Sequence, residues 1–362
     1  MKVEELIRNL AHEDSEIRDS AVESFGAVGE DAVPDLIRLL QHQDKALCRG
    51  AAWALGQIGD SAKGAVPTLI QAWHHEDSSV RYSAVYALGE IGKGAVPDLI
   101  QALQDQDSYV CKVAVQALGA VGKDAVPALI KLLQGGYENV CSFAIEALGY
   151  IGEDIIPTLM ELLRDRDPVV RSNAVMALGQ IREGAEEAIP DLVELSEDHD
   201  PVVRGKVAVA LGQIGDSAKD AVPTLIQLSQ DEYEQIRESA AWALGQIGDS
   251  AKDVVPALIQ ALQDEHKDVS QSAAIALGCV GEGASDAVPD LIQALQDQDH
   301  QVRMNAASAL GSIGSEVAVP TLIKLLQDPN AERFGSVSVL EEALGKIGTP
   351  EALKAIEEYE SQ

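Results

Sequence analysis

Four cysteines and seven histidines are the residues in this chain whose chemistry could serve a metal, a redox partner or a covalently held pigment. Cys48, Cys111 and Cys141 share one slot, which elsewhere in the chain holds Arg18, Arg81, Arg171, Arg204, Arg237 and Arg303. A row of thiols admits a metal cluster, a bilin or a redox partner. It equally admits small buried residues, because a free cysteine packs as a small hydrophobe. Cys111 and Cys141 stand one repeat apart. The matching helix spacing of about 8–10 Å exceeds the ~7 Å reach of a disulfide. Cys48 and Cys279 are seven repeats apart, so one chain does not gather four thiolates. His12, His42, His74, His75, His199, His266 and His300 all fall in polar turns. Only His74 and His75 are adjacent, and neighbours in sequence do not chelate a metal by themselves. There is no CxxC pair, no phosphate loop and no nucleophile–base pair. This pattern reads as a reduced, cytoplasmic, non-catalytic protein with no metal centre.

The elements that hold these residues repeat. Leu-Gly, usually within Ala-Leu-Gly-x-Ile-Gly, recurs at Leu55, Leu88, Leu118, Leu148, Leu178, Leu211, Leu244, Leu277, Leu310 and Leu344, with Phe25 in the first unit. The steps run from 30 to 34 residues, the period of a helical-hairpin array. Within each unit the first helix opens at a proline, as at Pro67, Pro97 or Pro223, where the missing N–H would be unpaired anyway. A polar turn follows. Asp14, Asp44, Asp77, Asp107, Asp167, Asp200 and Asp299 are placed to cap the second helix. In the third unit Val80, Ala84, Ala87, Leu88 and Ile91 form its buried stripe, and Gly92 ends it. Gly89 weakens the helix relative to alanine, so its recurrence predicts a neighbouring helix too close for a side chain. A lone hairpin cannot bury its apolar face, whereas stacked hairpins can. The expectation is a single all-α domain over 1–362: a right-handed α-solenoid of eleven hairpins plus a C-terminal capping helix, 23 helices in all, on the order of 100 Å long.

The motif Asp-x-x-Val-Arg-x-x-Ala-x-x-Ala-Leu-Gly-x-Ile-Gly, followed by Ala-Val-Pro-x-Leu-Ile-x-Leu-Leu, resembles the short HEAT repeat of the phycobilisome-lyase-like class over nearly the whole chain. The resemblance implies that the Val-Arg helices line a concave surface. It also implies three kinds of relative: chromophore-lyase subunits, a hydroxylase and binding scaffolds. The hydroxylase branch uses His-Glu pairs on the inner helices to hold iron. The matching positions here are Asp19-Ser20, Arg49-Gly50, Tyr82-Ser83, Lys112-Val113 and Ser142-Phe143. The two His-Glu pairs present, His12-Glu13 and His75-Glu76, lie in turns, which argues against that activity.

Solvent-facing positions of the second helices lie six and two residues before the repeat leucine and two after it, one face at helical spacing. They hold Trp53, Tyr82, Tyr86, Tyr150, Met176, Val209, Trp242, Ile275 and Met304, among polar residues. Large apolar groups on an exposed face mark an interaction site. Eight of the thirteen aromatics lie between Trp53 and Tyr150, so the candidate binding segment is 46–182. Its partner-binding candidates are Trp53, Tyr82, Tyr86, Tyr109, Phe143, Tyr150 and Met176, with Trp242 beyond it. Trp73 replaces a core leucine and is expected to be structural. The net charge of −32 repels phosphate backbones and excludes binding to nucleic acid through a basic patch. No apolar run approaches ~18 residues, so no membrane span is expected. The expected function is a scaffold that holds a partner protein or peptide in the concave groove. Two alternatives stay open: a bilin-lyase subunit or chromophore chaperone, and a metal-cluster assembly factor acting through Cys48, Cys111 and Cys141.

Overall fold

A computed structural model describes residues 3–72, 75–104, 108–135, 138–247, 251–328 and 336–361. Among these residues there are 23 α-helices and no strand. Contacts divide the chain into two compact units, Met1–Leu159 and Met160–Gln362.

In the first unit the opening helices of the hairpins are α1 (Val3–Asn9), α3 (Val33–Leu40), α5 (Val66–Ala72), α7 (Val96–Ala102) and α9 (Val126–Leu133). Their partners are α2 (Ser15–Val28), α4 (Lys45–Ile58), α6 (Ser78–Ile91), α8 (Ser108–Val121) and α10 (Glu138–Ile151). The chain passes through α11 (Ile156–Leu162). In the second unit α12 (Pro168–Ile181), α14 (Pro201–Ile214), α16 (Glu234–Gln246), α18 (Lys267–Val280), α20 (His300–Ile313) and α22 (Val337–Ile347) are the second helices. They alternate with α13 (Ile189–Glu194), α15 (Val222–Leu228), α17 (Ala251–Leu262), α19 (Val288–Ala294) and α21 (Val319–Leu326); α23 (Pro350–Glu360) follows α22.

The local signals act as chemistry dictates. Asp44 and Asp77 accept from the N–H two residues on, at 2.9 Å, and Asp14, Asp167, Asp200 and Asp299 cap in the same way. Asp107 lies outside the described residues. Proline opens most first helices. Pro256 is the exception, because α17 begins at Ala251 and the proline sits inside it. Gly92 ends α6 at φ 66°, a conformation that a β-carbon disfavours.

Within each unit every second helix packs on the next one, and the repeat glycine sets how closely. A β-carbon on Gly89 would lie 2.6 Å from that of Ala120, and one on Gly245 would lie 2.7 Å from the Ala276 α-carbon. The recurrent glycine therefore reflects helix packing, as its recurrence suggests. The repeat leucines Leu55, Leu88, Leu118 and Leu148 are fully buried in the first unit, as are Leu178, Leu211, Leu244, Leu277, Leu310 and Leu344 in the second. The stretch Val110–Leu133 contains an 18-residue window of mean hydropathy 1.4. It is two separate helices rather than one rod, since α8 ends at Gly122 (φ 70°) and exposed Lys123 and Asp124 precede α9.

Candidate functional site

The arginine slot is a ladder. In the second unit Arg171 sends Nε and Nη2 to the two Asp198 carboxylate oxygens at 2.8 and 2.7 Å. Arg204 does the same to Asp231, and Arg237 to Asp264. In all three the remaining Nη1 donates to a carbonyl of the arginine's own turn, as Arg171 does to Asp165 at 2.9 Å. Burial alone would push these carboxyls up. The arginine forks and a backbone N–H outweigh it and hold Asp198, Asp231 and Asp264 below the ordinary carboxylate value.

Cys48 takes over that arginine's inner contact with the carbonyl six residues back, whereas Cys111 and Cys141 reach carbonyls at the end of the preceding first helix. The Cys48 thiol points at the His42 carbonyl (3.0 Å), Cys111 at that of Leu103 (3.6 Å) and Cys141 at that of Leu132 (3.3 Å). All three are buried, and burial pushes the Cys48 thiol up. A metal or redox site needs thiolate, so this geometry favours the packing role. Cys279 is exposed. The turn histidines also have a structural task. His12, His42 and His75 accept through Nδ1 from the N–H of Asp14, Asp44 and Asp77 at 3.0–3.1 Å. Asp165, Asp198, Asp231, Asp264 and Asp297 do this job in the second unit. Among the described residues no three His, Cys, Asp or Glu side chains gather as a metal site.

The aromatic candidates divide. Trp53 of α4 and Tyr86 of α6 stack with ring centroids 4.1 Å apart and planes tilted by 33°. Both are half-buried, so the expectation that they stand free in solvent is corrected: adjacent repeats bring each ring within reach of the other. Gln57 donates to the Tyr86 hydroxyl at 3.5 Å. Burial and the Glu90 carboxylate push that hydroxyl's pKa up. Tyr82, one turn before Tyr86, is 67% exposed, and Tyr150 is 59% exposed. The Tyr150 β-carbon fills the space above Gly119 while its ring projects outward. Phe143 is half-buried on α10, as are Met176 on α12 and Trp242 on α16, where Trp242 leans on Gly212. The Tyr109 side chain, Trp73, His74 and Tyr137 lie outside the described residues. Next to Trp53 a cleft of about 460 Å³ opens between α2 and α4, bounded by Leu10, Arg18, Asp19, Glu23, Arg49 and Trp53. Spacing by itself does not reveal this cleft. The first unit thus presents a stacked aromatic pair, an exposed tyrosine and a mixed-charge cleft on consecutive second helices.

The family profile of HEAT repeats matches residues 3–65, 66–141, 126–212, 195–278 and 255–341. The chain belongs to the HEAT-repeat family. The match is to HEAT repeats at large and does not single out the phycobilisome-lyase-like class. No curated protein matches the sequence. Among solved structures, a Kap121p mutant is 15% identical with a TM-score of 0.58, over 95% of this chain and 45% of its own. Kap95p in complex with Nup1 is 17% identical with a TM-score of 0.53, over 98% of this chain and 57% of its own. Yeast importin-β (Kap95p) is 18% identical with a TM-score of 0.51, over 98% and 57%. This HEAT chain therefore spans about half the length of those proteins, and at such identities the likeness is one of fold: an all-α solenoid.

Proposed function

We propose that this HEAT protein is a non-catalytic, cytoplasmic scaffold. It captures a partner protein or peptide on the inner, second-helix face, with a primary site at Trp53, Tyr82 and Tyr86. The observation that carries this reading is the exposure of Tyr82 beside a stacked Trp–Tyr pair and an open cleft. Surfaces without a task carry single scattered apolar groups rather than aromatic ones on consecutive repeats. Second helices spaced closely enough to require glycine, with looser contact between first helices, support placing them on the inner row of a curved stack. The solved HEAT structures include Kap95p with RanGDP and with Nup1, which supports a protein as the ligand class.

The test is site-specific photo-crosslinking in the host cell. A crosslinkable residue replaces Tyr82 in one strain and exposed Gln71 of first helix α5 in another. Discrete partners are expected from position 82 and not from position 71. Tyr82→Ala should weaken the recovered partner by about thirtyfold, the effect of losing ~2 kcal/mol at an interface anchor. Equal crosslinking from both positions overturns the reading.

A further inference from the structure

In α14 the residue six before the repeat leucine is Gly205. A glycine inside a helix weakens it relative to alanine. The repeat glycines are kept by packing: a β-carbon on Gly212 would meet the Ala243 α-carbon at 2.8 Å. Gly205 has no such reason, since among the described residues a β-carbon there would find only the Ile236 side chain at an ordinary 3.7 Å. A second local rule is broken across from it. Tyr233 occupies the N-cap of α16, where α12, α14 and α20 have aspartate, and its side chain caps nothing, as His266 caps nothing on the neighbouring α18. Tyr233 is 42% exposed, and its ring centroid lies 5.7 Å from the Arg204 guanidinium carbon.

Both departures face one cavity of about 300 Å³ between α14 and α16, bounded by Pro201, Val202, Gly205, Val209, Tyr233 and Ile236. Val202 is 57% exposed at its mouth. The volume is at the bottom of the range for ligand pockets, sized for a side chain rather than a large cofactor. Lys206 stands on the rim, with Gln235 and Ser239. Across α16, toward α18, Glu238 lies half-buried and Asp268 lies exposed. Burial and the Asp268 charge push the Glu238 carboxyl up, and among the described residues neither carboxylate has an ion-pair partner. Local rules broken together at one place are the mark of a functional site, and unpaired carboxylates call for a cation.

We propose that this cavity receives one apolar side chain from an extended segment of a partner protein, and that a Lys or Arg about three residues along that segment reaches Glu238 and Asp268. The spacing follows from neighbouring helices about 8–10 Å apart and a rise of ~3.3 Å per residue in an extended chain. Lys206 sets the direction, since the cation must lie on the α18 side. This inference rests on the scaffold reading and names a second, chemically defined contact for it.

The test is selection of a displayed random dodecapeptide library on the full-length protein. Enriched peptides are then synthesised and their affinities measured for wild type, for Gly205→Leu, for Glu238→Gln combined with Asp268→Asn, and for Tyr82→Ala. Enriched peptides should share an apolar residue with Lys or Arg about three positions away. They should lose tenfold or more on Gly205→Leu, lose fivefold or more together with their salt dependence on the carboxamide pair, and ignore Tyr82→Ala. Gly205→Ala should raise the melting temperature, which shows that folding does not need the glycine. Peptides sensitive only to Tyr82→Ala overturn this inference and leave the scaffold reading standing. Peptides indifferent to every variant, acidic peptides, failure to enrich any peptide, or a lowered melting temperature for Gly205→Ala also overturn it.

Discussion

His42→Asp should stabilise the first unit by completing a rung of the arginine–aspartate ladder. Arg18 places Nη1 on the His12 and Glu13 carbonyls at 2.6 and 2.8 Å, as Arg171 does on Asp165 and Arg166 at 2.9 and 3.2 Å. In Arg171 the other two nitrogens grip Asp198, with side-chain exposures of only 15% and 8%. The equivalent of Asp198 opposite Arg18 is His42, because both accept from the N–H two residues on. Aspartate at 42 keeps that turn bond and adds a bidentate partner for Arg18. Hydrogen bonds to charged groups contribute about 1.5–3 kcal/mol each. Fixing the rest of the Arg18 side chain and desolvating the pair oppose this, which leaves a net gain of about 1–2 kcal/mol. For a unit of this size each kcal/mol moves the melting temperature by roughly 2–4 °C. Thermal denaturation and hydrogen exchange across α2 and α4 read the effect. Two controls isolate its cause. His75→Asp faces Cys48 rather than an arginine and should gain nothing. His42→Asp in an Arg18→Met background should also gain nothing. An equal gain in either control would refute the pairing argument and assign the effect to the turn or the helix dipole.

Acid should act selectively on the second-unit ladder. Asp198, Asp231 and Asp264 have carboxyls held below their ordinary value, so their contribution is present above the unfolded value of ~3.9 and is lost as pH falls through the lower folded value. Asp231→Asn should therefore show a flatter stability profile between about pH 5 and pH 2 than wild type; an unchanged slope would refute this. Gly245→Ala should cost about 1–3 kcal/mol because its β-carbon meets Ala276. Gly345→Ala, with nothing among the described residues within 4 Å, should stabilise by about 0.5–1 kcal/mol. Chemical denaturation distinguishes the two signs. Leu178→Asp buries an unpaired carboxylate at a fully buried position and should cost several kcal/mol. Exchange protection should fall first in α12 and α14, and uniform loss along the second unit would contradict nearest-neighbour stability.

The number and type of helices were legible in the residues because their causes are local. An aspartate just before a helical stripe caps it, a proline opens a helix, and an apolar stripe at helical spacing declares the buried face. Repetition told the rest of the fold, since a hairpin that cannot bury its own stripe must stack on a copy. The glycine of Ala-Leu-Gly was readable as a close approach for the same reason. What lay beyond the sequence were contacts between units some thirty residues apart, where no period says which side chain reaches which. The stacking of Trp53 on Tyr86 required the tertiary structure, because both rings occupy positions that helical spacing marks simply as solvent-facing. The cysteines read as an interruption of the arginine row. Only packing showed Cys48 taking over the arginine's carbonyl contact, Cys111 and Cys141 turning to carbonyls of the preceding helix, and the histidines taking over the aspartate's turn. Gly205 and Gly212 are the same residue on the same helix. Three-dimensional space alone decided that one is held by an opposing backbone at 2.8 Å and the other lines an open cavity, because the room beside a helix belongs to its neighbour.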